Sequence, residues 1–173
     1  LDFCKDRFRT DRSVVYKEDY SRKNPGRDIY TLYVPSKEIC KDLNNLGLFY
    51  RKSLTMEFPD YLNEDYFWHY LRGYTDGDGW VSDPNSKESL RITFLGSSYF
   101  IQGLRTYISN FFFTKVPKAR VQGKNKLIHS FSMRGLDAKH MLNYMYGNEF
   151  YGLSRKKDRA LNHINKFKIK GND

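Results

Sequence analysis

Two acids two residues apart, Asp76 and Asp78, lie in the run Leu71-Arg72-Gly73-Tyr74-Thr75-Asp76-Gly77-Asp78-Gly79. Carboxylate oxygens suit a hard divalent cation, and such a cation beside a phosphodiester can activate water and neutralise charge on phosphate oxygens. A calcium loop is another use of an acid-rich run. In an EF-hand register, however, Val81 stands where glycine is required and Lys87 where a bidentate glutamate is required. A plain helix-ending turn needs no Asp-Gly-Asp-Gly. The histidines (His69, His129, His140, His163) lack paired metal spacing. Cys4 and Cys40 are far apart and read as ordinary reduced thiols.

The elements that must position these acids can be read from periodicity and caps. Asn63 is a good N-cap, Glu64 and Asp65 favour a first turn, and Phe67, Tyr70, Leu71 and Tyr74 form an apolar stripe at helical spacing. Gly79 is expected to end this helix in a left-handed conformation. Asp78 then falls at the negative end of the dipole, a poor choice for stability and a good one for a cation. Gly73 and Gly77, four apart, share one helix face on which a second helix could approach closely. Strands are expected over 80–82 and 90–95, a helix over 98–111, strands over 118–122 and 127–134 about a turn at 123–125, and helices over 137–146 and 154–167. His129 and the phenylalanines at 111–113 are read as core.

Charge points to the partner. The chain of 173 residues has 39% hydrophobic and 17% aromatic residues, as a folded protein does, with formal charge +10 and pI about 9.5. A polyanion is the expected partner, nucleic acid first and an anionic membrane surface second. No apolar run reaches the roughly 18 residues that span a bilayer, and no signal peptide is visible. Acids concentrate over 56–88, whereas 115–134 and 154–170 are rich in bases and nearly free of acids. Alternation puts Lys118, Arg120 and Gln122 on one strand face, Ser130, Ser132 and Arg134 on another, and Arg91 with Thr93 on a third. A merely solvated sheet face would show the same alternation.

Residues 29–34 match 128–133 at a constant offset of 99 and in the same phase, and Leu43 and Leu46 meet Leu142 and Met145 at that offset. The order of strand, helix and basic dipeptide recurs as well. The reading is one and a half copies of an αββαββα unit: a partial copy over 1–60, without its opening helix and first two strands, and a complete copy over 61–173.

The run at 71–79 resembles the LAGLIDADG signature of homing endonucleases, with identical residue types at Leu71, Gly73, Asp76, Asp78 and Gly79. Arg72 replaces the signature's usual small residue. The resemblance implies an α+β fold of two pseudo-symmetric αββαββα halves with saddle-shaped antiparallel sheets, the first half incomplete, in a single-chain member truncated before its first motif. It also implies Mg²⁺-dependent, site-specific double-strand DNA cleavage. Asp78 becomes the metal ligand and catalytic acid, Asp76 a structural acid, and Lys156 and Lys52 basic residues near the metal. Gly73 and Gly77 become the seam between halves. The concave sheets would take the major groove through Arg91, Thr93, Lys118, Arg120, Gln122, Ser130, Ser132 and Arg134, and through Thr31 and Tyr33 in the other half. Expected partners are double-stranded DNA and the second half of the pseudo-dimer, with self-association of this chain and no cleavage by it alone. The alternative is a regulator or intron-splicing maturase on the same scaffold that binds without cutting.

Overall fold

Residues 2–19, 27–50, 52–85, 89–112, 114–123, 126–147 and 152–169 are described by the computed structural model. Parts of three sequence expectations lie outside them: the tip of the 123–125 turn, Phe113 of the phenylalanine run, and Lys87. The chain forms two compact units, Leu1–Asn45 and Leu46–Asp173, so residues 46–60 group with the second.

In the first unit, helix α1 (Asp2–Phe8) precedes an antiparallel pair, β1 (Val15–Asp19) and β2 (Arg27–Thr31), and helix α2 (Lys37–Asn45) follows. The Ser36 hydroxyl accepts a hydrogen bond from the Ile39 amide at 3.1 Å, which caps α2. Tyr16 and Tyr30 face each other across the ladder with ring centroids 5.5 Å apart. The strand expected over 29–34 stops at Thr31, because β1 begins at Val15, directly opposite. Tyr33 therefore has no ladder partner. It lies exposed beyond the strand, not on a sheet face with Thr31.

The second unit opens with a 3-10 turn (Lys52–Leu54) and helix α3 (Glu64–Gly77). Asn63 caps α3 as expected, its side-chain oxygen accepting from the Tyr66 amide at 3.1 Å, a contact worth about 1 kcal/mol. After α3 come β3 (Trp80–Val81), β4 (Arg91–Gly96), α4 (Ser98–Phe112), β5 (Arg120–Gln122), β6 (Ile128–Arg134), α5 (Gly135–Tyr146) and α6 (Ser154–Ile169). The strands form one antiparallel sheet in the order β3-β4-β6-β5. The sequence α4-β5-β6-α5 repeats the element order α1-β1-β2-α2 of the first unit.

Alternation along the strands sorts the sheet into two faces. Val81, Ile92, Phe94, Phe131 and Met133 are buried against the helices. Phe100, Ile101, Leu104 and Ile108 of α4, with Ala138, Met141, Leu142 and Met145 of α5, complete that core. α3 contributes Phe67, Trp68, Leu71 and Thr75, so its buried face is turned toward Thr75 and away from the expected Tyr70 and Tyr74, which are only partly buried. His129 is half-buried.

Phe58, just ahead of α3, packs against Phe67, Tyr70, Phe100 and Tyr107. It can do so because α4 carries Gly103 beneath it, where an added Cβ would stand 2.6 Å from the Phe58 Cβ. Gly103→Ala should therefore destabilise the chain by about 1–3 kcal/mol despite the better helix propensity of alanine. Urea denaturation checks this: an unchanged or higher midpoint would remove the Phe58 packing from the fold's support.

Candidate nucleic-acid interface

The sheet face turned away from the core is polar and basic. From β4 it carries Arg91 and Thr93, from β6 Ser130, Ser132 and Arg134, from β5 Arg120 and Gln122, and just ahead of β5 Lys118. These eight residues, picked out by alternation, line one open groove of roughly 850 Å³. Its ladder is ordered: Arg91 lies opposite Arg134, Thr93 opposite Ser132, and Ser130 opposite Arg120. The Thr93 and Ser132 hydroxyls are hydrogen-bonded at 2.8 Å, and the Gln122 amide donates to the Ser130 hydroxyl at 2.7 Å. Arg105 of α4 donates to the carbonyls of Val116 and Pro117, which holds the segment bearing Lys115 and Lys118 at the rim. Asp137 is the one acid of the lining, against Arg91, Lys115, Lys118, Arg120 and Arg134. Trp80, read from sequence only as the start of a strand, also lines the groove, and the Arg91 guanidinium lies over its ring at 4.8 Å.

The two acids of the motif have opposite surroundings. Asp76 is braced: one carboxylate oxygen accepts from the Tyr146 hydroxyl at 2.7 Å, the other from the Leu153 amide at 2.9 Å. Asp78 is the C-cap of α3, and its side chain is exposed with no hydrogen-bond donor among the described residues. Trp80, which lines the groove, stands two residues further along the chain.

Gly79 does not adopt the left-handed conformation expected of it. Its need for glycine is close packing: an added Cβ would meet the Thr75 Cα at 2.7 Å. The helix end is closed instead by Lys156. This buried lysine donates to the carbonyls of Thr75 (2.5 Å), Asp76 (2.9 Å) and Gly79 (2.6 Å). An ammonium has three N–H donors and all three are engaged, so the geometry gives Lys156 the role of holding the helix end. Burial pushes its pKa down, as does neighbouring Arg155, while the charges of Asp76 and Asp78 pull it back up.

Other expected site residues fall elsewhere. Gly73 and Gly77 are exposed, and a Cβ on either would meet nothing within 4 Å. Arg72 turns to the end of α5, donating to the Met145 carbonyl at 3.2 Å. Lys52 begins the 3-10 turn, and its side chain lies outside the described residues. The basic stretch over 154–170 is partly consumed in holding backbone: besides Lys156, Arg159 donates to the Val81 carbonyl and Lys166 to that of Pro84. No described group of three or more His, Cys, Asp or Glu residues could hold a metal, and no described helix is long and apolar enough to cross a membrane.

No protein-family model matches the chain, and no curated protein matches it. Solved structures do. The chain is similar to the homing endonuclease I-CvuI in complex with its target in the presence of 2 mM Ca, at 16% identity and TM-score 0.40, over 61% of this chain and 68% of that one. It is similar to I-CvuI in complex with the I-CreI target in the presence of 2 mM Mg, where the DNA is not cleaved, at 16% identity and TM-score 0.39 over the same shares. The LAGLIDADG homing endonuclease I-GzeII in complex with a DNA target is similar at 14% identity and TM-score 0.43, over 79% of this chain. The match spans 46% of the I-GzeII chain, less than half its length.

Stability should read out the different roles at the helix end. Lys156→Met removes a donor from the carbonyls of Thr75, Asp76 and Gly79 and should cost at least about 2 kcal/mol. Asp76→Asn should cost about 1–2 kcal/mol through its two hydrogen bonds, whereas Asp78→Asn should be neutral or slightly stabilising, since it removes an anion from the negative end of a helix. Urea denaturation of the three variants decides; equal losses at Asp76 and Asp78 would contradict the division. Alkaline pH is a second probe. Burial raises the phenols of Tyr74 and Tyr146, aided by the charge of Asp78 in the first and by the hydrogen bond to Asp76 in the second. A raised folded pKa gives stability that is complete below the unfolded value of 10.0 and is lost as pH rises above it. Tyr74→Phe and Tyr146→Phe should each flatten the fall in stability above pH 10, and an unaltered fall would detach these phenols from it.

Proposed function

We propose that this chain is a DNA-binding and DNA-cleaving module of the LAGLIDADG homing-endonuclease type. The observation that carries the reading is the placement of Asp78: an exposed carboxylate with no hydrogen-bond donor among the described residues, two residues along the chain from Trp80 of a basic groove lined by arginine, glutamine and hydroxyl side chains. In a duplex major groove, arginine reads guanine, glutamine reads adenine, and serine or threonine adapts to either. Lys118 and Arg120, at the rim, track phosphate. By the offset of 99, Thr31 of the first unit corresponds to Ser130 and makes the equivalent contact; Tyr33, beyond the end of β2, does not.

The donor set fits a hard cation such as Mg²⁺ in kind, since the exposed ligand is a carboxylate oxygen. When bound, the cation supplies an activated water and charge neutralisation at the scissile phosphate. The chain's own part is to hold Asp78 at the groove edge, which Lys156 and Asp76 do by fixing the last turn of α3. One exposed carboxylate is an incomplete ligand set, so a matching acid comes from a second motif helix docked on the Gly73–Gly77 face. A second copy of the chain can provide it. That same shortage favours a second reading, a regulator or splicing maturase that binds without cutting.

Three measurements test these statements. Replacing both Lys118 and Arg120 with alanine should weaken duplex binding and flatten the slope of log K against log salt by roughly one unit for each phosphate that is no longer neutralised; an unchanged slope removes the rim from the interface. Sedimentation should show dimers or larger species that Gly73→Leu abolishes, because the exposed glycine face is where a partner helix packs. A clean monomer at high concentration argues against that face. In an assembly with two motif helices, Asp78→Asn should abolish Mg²⁺-dependent cutting and leave affinity in Ca²⁺ nearly unchanged. Cleavage at the parent rate would hand the chain to the binding-only reading.

A further inference from the structure

The groove carries a feature that generic phosphate attraction does not require. Arg91 and Arg134 stand directly opposite each other on neighbouring antiparallel strands, side chains on the same face. Like charges so placed are destabilising. Here they face each other across the β4–β6 ladder, beside Ser82 at the end of β3. Trp80, opposite Thr93 and diagonal to Arg91, lies under the Arg91 guanidinium at 4.8 Å. The indole is 38% exposed, a large aromatic ring kept at a polar surface.

The backbone beneath is fixed as well. The Arg91 amide donates to the Ser82 hydroxyl at 3.0 Å, and buried His163 holds Ser82 through both its hydroxyl (3.2 Å) and its carbonyl (2.9 Å). The neighbouring Thr93 and Ser132 hydroxyls satisfy each other. Arg91 is thus constrained at its amide by β3 and α6 and at its guanidinium by an aromatic ring. Phosphate contacts tolerate a flexible cation, whereas bidentate recognition of a base edge requires a planar fork held in one orientation. The ligand chemistry that matches is the paired acceptors of guanine, O6 and N7.

Building on the DNA-binding reading, we propose that Trp80 is a specificity-determining residue that holds Arg91 as a fixed reader of guanine, with Arg134 beside it strengthening the attraction to the duplex. The probe is a pool of randomised duplexes, selected with the parent chain and with Trp80→Phe, Trp80→Leu and Arg91→Lys. Binding of the selected sequence and its single-base variants is then measured across salt concentrations. The parent should select guanine at one position, with roughly tenfold loss on its replacement. Trp80→Leu, which keeps apolar bulk without a π face, should lose most of that preference with the salt slope intact, since no charge is removed. Trp80→Phe should retain most of it, and Arg91→Lys should lose it at unchanged slope. Undiminished guanine preference in Trp80→Leu, or uniform weakening across all sequences, would overturn the proposal. A folded parent that selects no duplex would instead overturn the DNA reading, and this inference with it.

Discussion

The C-terminal end of α3 concentrates negative potential. The carbonyls of its last turn lie close to the Asp76 and Asp78 carboxylates. A helix end of this kind is unfavourable unless something positive answers it. The answer is a buried ammonium from the far end of the chain, Lys156, which takes three of the carbonyls at once. Desolvating a cation costs several kcal/mol, and that cost is offset because every N–H is matched. With the carbonyls occupied by Lys156 and Asp76 tied to Tyr146 and Leu153, the end is rigid and one anionic group, Asp78, is left facing outward. Position and charge of that group follow from the clamp beneath it.

The same division between a satisfied interior and a demanding exterior runs through the sheet. Its inner face is closed by aliphatic and aromatic side chains against α3, α4 and α5. Its outer face sets guanidinium against guanidinium and leaves an indole half in water. Like charges placed directly opposite are unfavourable in themselves. Under the proposed reading, a polyanion in the groove offsets that repulsion. The hydroxyls and amide between the arginines are already paired with one another, so the groove floor stays ordered before anything binds.

What could be read from the sequence was what depends on local period and neighbours. Asn63 marked the start of α3, and strand alternation picked out eight residues that line one groove. What could not be read depends on contacts distant in sequence. The acceptors of Lys156 lie 77 to 81 residues away, so by sequence it was only one base in a basic stretch. Arg159 and Lys166 were obscured for the same reason, and a run of positive charge proved in part to be a set of backbone clamps. Trp80 at the head of a two-residue strand had no period to declare its face; only its pairing with Thr93 does so. Tyr33 shows the converse failure, since its alternation was correct but β1 does not extend far enough to continue the ladder to it.

The spacing of the two acids has a simple geometric consequence. Successive helical residues are separated by about 100°, so residues two apart differ by about 200° and point to nearly opposite sides of the axis. On α3 that turns Asp76 toward Tyr146 and the start of α6, where it braces the helix, and turns Asp78 outward. An acid-x-acid pair at a helix end is therefore one structural carboxylate and one available carboxylate, and the intervening residue decides whether a neighbour can come near. Here that residue is Gly77, in line with Gly73 on an open face. A larger side chain at Gly77 would bar a second helix from the place where its own outward acid could stand beside Asp78. Under the proposed reading, the glycine spacing and the acid spacing serve one requirement: bringing two carboxylates from two helices to a shared cation.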